Sequence, residues 1–143
     1  MNNLFSGLIG ALLGALVSAQ VALNTFDRQL HIDNMRLSLD EYSSIKSLRP
    51  NSIDPKVKGE YKKIISAQVS SLLINELSGE KAGESAKRVY WILDCIYRLR
   101  NGEKEAQNDC KRKLGVKYSY NELSTYYDKE SDNLLDLITT HNN

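Results

Sequence analysis

The sequence predicts an all-α fold: an N-terminal transmembrane helix that continues into a long juxtamembrane helix, followed by a small helical bundle of three to four helices. Three observations lead to this prediction. The stretch from Leu4 to Leu23 contains no charged side chain. Beyond it, apolar residues recur at the three- and four-residue spacing of helices, and no alternating strand pattern occurs. Both prolines lie between Arg49 and Lys56, so the rest of the chain can form uninterrupted helices.

The uncharged stretch has the length of a membrane span. A helix rises about 1.5 Å per residue, so residues 4–23 extend roughly 30 Å, the thickness of a bilayer hydrocarbon core. A cleaved signal peptide is an alternative, because Val17-Ser18-Ala19 has the small-residue spacing of a cleavage site before Gln20. A buried helix of a soluble protein is another. The absence of a basic residue before Leu4 and the length of the stretch favour a retained transmembrane helix.

The charges that flank this helix predict its orientation. The three residues before it carry no basic side chain, whereas Arg28 and Arg36 follow it. Basic residues remain on the cytoplasmic side of single-pass proteins. We therefore expect the N-terminus outside the cell and the body in the cytoplasm.

Small residues form two rows along the predicted membrane helix. One row recurs every four positions from Gly7 to Ala19, and the other runs from Gly10 to Ala22 and contains a GxxxG. Small residues allow the backbones of membrane helices to approach closely, so the rows predict a homo-oligomer in contact with membrane lipid. The candidate association residues are Gly7, Gly10, Ala11, Gly14, Ala15 and Ser18.

The helical pattern continues beyond the membrane segment. No helix-breaking residue occurs between Leu23 and Leu48, so we expect one helix to about Ser47. Two apolar stripes follow it, one through Leu23, Phe26, Leu30 and Leu37 and the other through Ile32, Met35, Leu39 and Tyr42. The predicted organisation is a short head at residues 1–3, a transmembrane helix at 4–23, a juxtamembrane helix at 24–48 and a helical domain at 49–143.

Turn and capping signals divide the helical domain. Asp54-Pro55 reads as an N-cap followed by a proline at the first helical position, which starts a helix that runs to about Leu77. The next helices are expected at about 80–100 and 103–114, each closed by a glycine. Ser119 and Glu122 form a capping box for the last helix.

Three of these four helices have a predicted buried face: the one that runs to about Leu77, the one at about 80–100 and the last. The first is expected to bury Tyr61, Ile64, Ile65, Val69, Leu72, Leu73 and Leu77. The second is expected to bury Val89, Ile92, Leu93, Ile96 and Leu99. The last is expected to bury Leu123, Tyr127, Leu134, Leu137 and Ile138.

The composition and the absence of motifs argue against several classes of function. A net charge of +1 argues against a nucleic-acid binder, which usually carries a basic excess. No catalytic set, cofactor motif or metal site can be assembled, so we expect neither an enzyme nor a bound metal or cofactor. Cys95 and Cys110 lack metal-ligand spacing. They are expected as free thiols in a cytoplasmic body, and as a disulfide if the signal-peptide alternative holds.

One segment of the body is rich in basic residues. It offers a possible contact surface for anionic lipid or a phosphate-bearing ligand. The alternative is that these residues pack beside the acidic last helix or are merely solvated. The candidate residues are Arg98, Arg100, Lys111, Arg112 and Lys113.

The order of segments resembles a known layout. An uncharged GALLGALVSAQVAL leads into DRQLHIDNMRLSLDEY, and a later helix reads RVYWILDCIYRLRNGE. This is similar to a domain-of-unknown-function family of bacterial single-pass membrane proteins with a cytoplasmic helical body. The resemblance implies the layout and no activity. The expected function is a self-associating membrane protein with a partner-binding scaffold or regulatory domain. The alternative is a small oligomerising membrane effector, of the toxin or anti-phage type, that perturbs the bilayer.

Overall fold

The computed structural model describes residues 2–115 and 119–140, with the backbone alone for residues 2–12 and Tyr120. Within these ranges the chain forms helices and no strand, which confirms the all-α prediction. The α-helices are α1 (Asn2–Lys46), α2 (Glu60–Ser78), α3 (Glu80–Arg100), α4 (Ala106–Leu114) and α5 (Tyr120–Thr140), with a short 3₁₀ turn at Pro50–Ser52.

The chain divides into two compact units, residues 1–33 and 34–143. The first unit is helical, and its side chains from Leu13 to Asp33 are exposed. None of the helices, over the residues that are described, is long and apolar enough to cross a membrane. The side chains of residues 4–12, the first part of the predicted transmembrane segment, lie outside the described residues.

The second unit is organised around α3, which contacts α2, α4 and α5. Four of the five residues predicted for its buried face are fully enclosed, and Leu99 is partly buried. The predicted face of α5 is also confirmed, with Leu123, Tyr127, Leu134 and Ile138 in the core. In both helices the apolar residues recur at helical spacing, so burying one stripe removes most of the apolar surface from water.

The start of α2 differs from the prediction. The helix begins at Glu60 instead of at Pro55. Asp54 does not cap a helix, because its side chain accepts a hydrogen bond from the Lys56 amide at 2.9 Å and closes a local turn. Gly59 then adopts a left-handed backbone with φ of 92°, which separates this turn from the helix.

The buried face of α2 was predicted correctly at Ile64 and wrongly at most other positions. Tyr61, Ile65, Val69, Leu72 and Leu73 are exposed, and the helix instead buries a row of mostly small residues. This row consists of Ile64, Ala67, Ser70, Ser71, Ile74 and Ser78. α2 and α3 also approach closely at Gly83, where a Cβ would lie 2.6 Å from Asn75 Cγ. Hydrophobicity alone therefore does not identify the buried face of α2.

Two of the three buried serines of α2 form side-chain hydrogen bonds. Ser71 donates to the Gln68 carbonyl at 2.7 Å, and Ser78 donates to Ser38 Oγ on α1, also at 2.7 Å. A buried hydroxyl without a partner would be destabilising by about 1–3 kcal/mol. These bonds explain how a helix can bury a serine-rich face.

The last turns of α1 belong to the core of the second unit. Ile45 is fully buried, and its carbonyl accepts a hydrogen bond from the Tyr127 hydroxyl at 3.1 Å. Burial raises the pKa of Tyr127 to about 12. Lys46 lies 5.5 Å above the centre of the same ring. Tyr127 therefore fastens the C-terminal end of α1 to α5.

The predicted capping box of α5 is confirmed. The Ser119 amide donates to Glu122 Oε2, and the Glu122 amide donates to Ser119 Oγ at 3.4 Å. Two hydrogen bonds with Ser119 lower the pKa of the Glu122 carboxyl. The bond with the Ser119 backbone has the larger effect, and the bond with its side chain has the smaller one. Both bonds satisfy amides that have no partner inside the helix.

Candidate functional site

The basic segment that the sequence singled out lies on α3 and α4, which are covalently joined. Cys95 and Cys110 form a disulfide, and both are buried. The expectation of free thiols is therefore wrong for this structure. Facing helices bring the two residues to a Cα separation of 5.7 Å, a geometry that their spacing in sequence does not reveal.

Arg98 is held by two carboxylates. Its Nε lies 2.7 Å from Glu103 Oε2, and its Nη2 lies 3.0 Å from Asp109 Oδ2. The hydrogen bond to Glu103 is the main reason that the pKa of Arg98 is raised above its ordinary value. The other oxygen of Asp109 accepts from Arg112 at 3.1 Å. One carboxylate thus bridges two of the candidate arginines.

Lys113 forms the most enclosed ion pair of the segment. Its Nζ lies 3.1 Å from Oδ2 of Asp94, a carboxylate whose side chain is 6% exposed, while the lysine side chain is 31% exposed. An unpaired carboxylate at this depth would be strongly destabilising. Lys113 therefore neutralises a charge in the interior of the domain.

The remaining two candidates differ from each other. Arg100 donates hydrogen bonds to the carbonyls of Asn51 and Ile53, in the connection between α1 and α2. Lys111 is exposed and forms no ion pair with any side chain that the structure describes. Four of the five predicted contact residues are thus engaged by groups of the same chain, although Arg100 and Arg112 are exposed as Lys111 is.

A groove of about 340 Å³ lies beside this segment, between α3 and the chain around Gly115 and Tyr126. Basic and aromatic side chains line it, but its cations have partners: Arg88 lies 4.0 Å from Glu130, and Arg112 and Lys113 are paired as described. Its residues are Glu84, Arg88, Trp91, Arg112, Lys113, Leu114, Gly115 and Tyr126. The groove is electrostatically balanced, so it offers an anion no concentrated positive charge.

A buried polar cluster connects α3 to α5. Ser85 Oγ donates to Glu130 Oε1 at 2.9 Å, and Asn133 Nδ2 donates to Ser85 Oγ at 3.2 Å. Ser85 and Glu130 are both buried. A serine nucleophile needs a base that can take its proton and a site for substrate. Here the Ser85 hydroxyl donates to the Glu130 carboxylate across the contact between α3 and α5, and both residues line a groove of about 360 Å³.

The structure places the candidate association residues on α1. Gly14, Ala15 and Ser18 are exposed, and a Cβ added at Gly14 would meet nothing within 4 Å. Gly7, Gly10 and Ala11 belong to the same helix, but their side chains lie outside the described residues. The association through these residues remains a prediction.

The sequence analysis missed the acidic partners Asp94 and Asp109. The three-residue spacing from Asp109 to Arg112 could have revealed one pair, since such neighbours meet on a helix. No local signal indicates the pair between Asp94 and Lys113, because it depends on the packing of α4 against α3. Across the described side chains, no three His, Cys, Asp or Glu residues are grouped to hold a metal ion.

Comparisons with protein-family models, with curated proteins and with solved structures give no match for this chain. The family resemblance therefore stays a prediction, and the function has to be argued from the residues.

Proposed function

We propose that this chain is a single-pass membrane protein whose N-terminal helix associates with other copies and whose helical body binds a partner, in a scaffolding or regulatory role. The observation that carries the proposal is the uncharged stretch from Leu4 to Leu23 with its two rows of small residues. In lipid, helices associate mainly through packing over such residues. No ionisable group interrupts the stretch, so one copy provides no ion pathway.

A binding role for the body is supported by its acidic side chains, which form ion pairs within the chain. Asp94, Asp109 and Glu130 each pair with a side chain of the same chain. These contacts hold the helices of the bundle together and leave recognition to the exposed surface. The proposal accordingly assigns no catalytic step to the body.

Membrane anchoring is tested by placing charge in the uncharged stretch. Leu13→Arg with Val17→Arg puts two charges four residues apart within it. Each arginine near the centre of a span is unfavourable by about 2.5–3.5 kcal/mol, so the variant should leave the membrane fraction after an alkaline wash. Phe26→Arg with Leu30→Arg makes the same change beyond the stretch and should stay in that fraction. An unaltered chain that is released by the wash would overturn the proposal.

We propose the orientation with the N-terminus outside and the body in the cytoplasm, on the basis of the flanking Arg28 and Arg36. The disulfide between Cys95 and Cys110 opposes this orientation, because disulfides persist mainly in oxidising compartments. The deciding experiment is therefore to alkylate cells rapidly under denaturing conditions and to determine the thiol state of the chain. Free thiols in cells would support a cytoplasmic body.

A disulfide in a full-length chain would instead place the body outside the cytoplasm. A disulfide in a chain that begins at Gln20 would establish a cleaved signal peptide and overturn the anchor itself. Intact mass measurement separates these two results.

A further inference from the structure

The outer face of α2 exposes a continuous set of apolar side chains. Val69 is 52% exposed and Leu72 is 62% exposed, and Ile65 and Leu73 beside them are 37% and 42% exposed. This face lies opposite the row of small residues that packs in the core. Single exposed apolar residues are normal, but a contiguous patch on one helix indicates an interaction surface.

The spacing on this face is that of a helix pair. Lys62, Ile65, Val69, Leu72 and Glu76 follow one another at intervals of three, four, three and four residues. This is the spacing that brings one stripe of a helix against a second helix. The apolar residues lie in the middle of the stripe. The positive charge of Lys62 lies at one end, and the negative charge of Glu76 lies at the other.

The charges at the two ends make the face complementary to itself. When two copies of α2 cross antiparallel with Val69 on the two-fold axis, Ile65 meets the other copy's Leu73 and Lys62 meets its Glu76. Each of these contacts then occurs twice, as an isologous interface requires. A parallel arrangement would instead oppose Lys62 to Lys62 and Glu76 to Glu76.

Both end residues are available for such pairing. Lys62 and Glu76 are exposed, and neither forms an ion pair with any other side chain in the described part of the chain. By contrast, the neighbouring Lys63 is paired with Glu60 at 2.9 Å. We infer that the outer face of α2, defined by Lys62, Ile65, Val69, Leu72, Leu73 and Glu76, binds the same face of a second copy in antiparallel orientation.

The size of the face sets the strength of this contact. A patch of this kind covers on the order of 300–600 Å² on each copy. Two such patches reach only the low end of the roughly 1,200–2,000 Å² that stable interfaces bury. The contact is therefore weak in solution and forms when copies are concentrated, for example on one membrane. It rests on α2 alone and does not depend on the proposed membrane association.

Disulfide trapping in the full-length chain tests the geometry. Val69→Cys lies on the two-fold axis, so two copies should form a disulfide-linked dimer under mild oxidation. Lys62→Cys is the matched control, because an antiparallel pair holds the two cysteines roughly 21 Å apart, at 1.5 Å per residue. Mixing Lys62→Cys with Glu76→Cys chains should restore the cross-link. The emission of Trp91 verifies that each variant is folded.

The cross-linking pattern has outcomes that overturn the inference. Equal trapping at Val69→Cys and Lys62→Cys would indicate a parallel or a random encounter. No dimer at Val69→Cys, or a cross-link from it to a different protein, would show that a second copy does not occupy this face.

Charge reversal provides an independent test of the same contact. Lys62→Glu and Glu76→Lys each replace two attractions by two repulsions and should reduce Val69→Cys dimer formation about tenfold. The double variant that carries both reversals should regain the dimer of the parent chain. If the single variants trap as well as their parent, or if the double variant fails to recover, the antiparallel pairing is wrong.

Discussion

The ion pair between Lys113 and Asp94 offers a sharp test of whether the basic segment supports the fold or binds a ligand. Lys113→Met removes the cation and leaves the carboxylate of Asp94 buried without this partner. At the observed 3.1 Å the gross attraction is about 5 kcal/mol for an effective dielectric constant near 20. Lys113 is 31% exposed and Arg98 adds a second positive charge near Asp94, which reduces the net loss. We expect the variant to lose about 2 kcal/mol of unfolding free energy.

Urea unfolding of the full-length chain in detergent, followed by fluorescence, measures this loss. Trp91 is the only tryptophan of the chain and lies on α3, so its emission reports on the body alone. With a slope of about 2 kcal/mol per molar urea, the midpoint should fall by about 1 M. Lys111→Met is the matched control, because Lys111 lies on the same helix and is exposed, and its midpoint should hardly move.

A double variant isolates the ion pair from other effects of the substitution. Asp94→Asn combined with Lys113→Met replaces both charges and should be more stable than Lys113→Met alone. Equal midpoints for Lys113→Met and Lys111→Met would refute the reasoning and return Lys113 to the list of candidate ligand-binding residues.

Three further predictions concern contacts between helices of the second unit. Gly83→Ala should lower the unfolding free energy by about 1–2 kcal/mol, because the new methyl overlaps Asn75, and Asn75→Gly should restore part of it in a urea titration. The burial that raises the pKa of Tyr127 from 10.0 to about 12 should make stability fall by up to about 2.7 kcal/mol between pH 10 and 12. Below pH 10 the tyrosine is protonated in both states, and Tyr127→Phe should remove this part of the fall, as measured by the urea midpoint against pH. Reduction of the disulfide between Cys95 and Cys110 should lower the unfolding free energy by about 3 kcal/mol, measured by the shift in midpoint with added reductant.

Each of these expectations can fail in a specific way. A Gly83→Ala chain as stable as its parent would show that Asn75 moves to accommodate the methyl without cost. The same alkaline profile in Tyr127→Phe would assign the fall in stability to other groups. An unchanged midpoint after verified reduction would show that the disulfide adds nothing to the packing of α4.

Periodicity predicted α3 and α5 well because their apolar stripes and their buried faces coincide. Val89, Leu93 and Ile96 recur at helical spacing, and all three are buried. The capping box of Ser119 and Glu122 was also predicted correctly, because it depends only on two residues that are three positions apart. These correct predictions rest on local sequence patterns.

Most of the failures depend on tertiary packing, whereas the start of α2 was misplaced for a local reason, the turn that Asp54 closes with the Lys56 amide. The most hydrophobic face of α2 is exposed, and a face of mostly small residues is buried in its place. A signal was present in Ala67, Ser70 and Ser71, which mark a face suited to close approach, but hydrophobicity pointed the other way. The partners of Lys113 and Cys110 lie on α3 and could not be identified before the two helices were placed together.

The most direct test of the proposed function is the mass of the protein in lipid nanodiscs. Val69→Lys is introduced into every chain so that the outer face of α2 cannot hold two copies together. The chain with Val69→Lys alone is the parent and should be oligomeric. A control that adds Leu16→Ala, on the side of α1 away from the small residues, should be oligomeric as well. Gly10→Leu with Gly14→Leu should be monomeric, because bulky side chains block close approach of the helices. The same oligomer mass for all three chains would contradict association through the small-residue rows, and a parent chain that is already monomeric would contradict self-association in the membrane altogether.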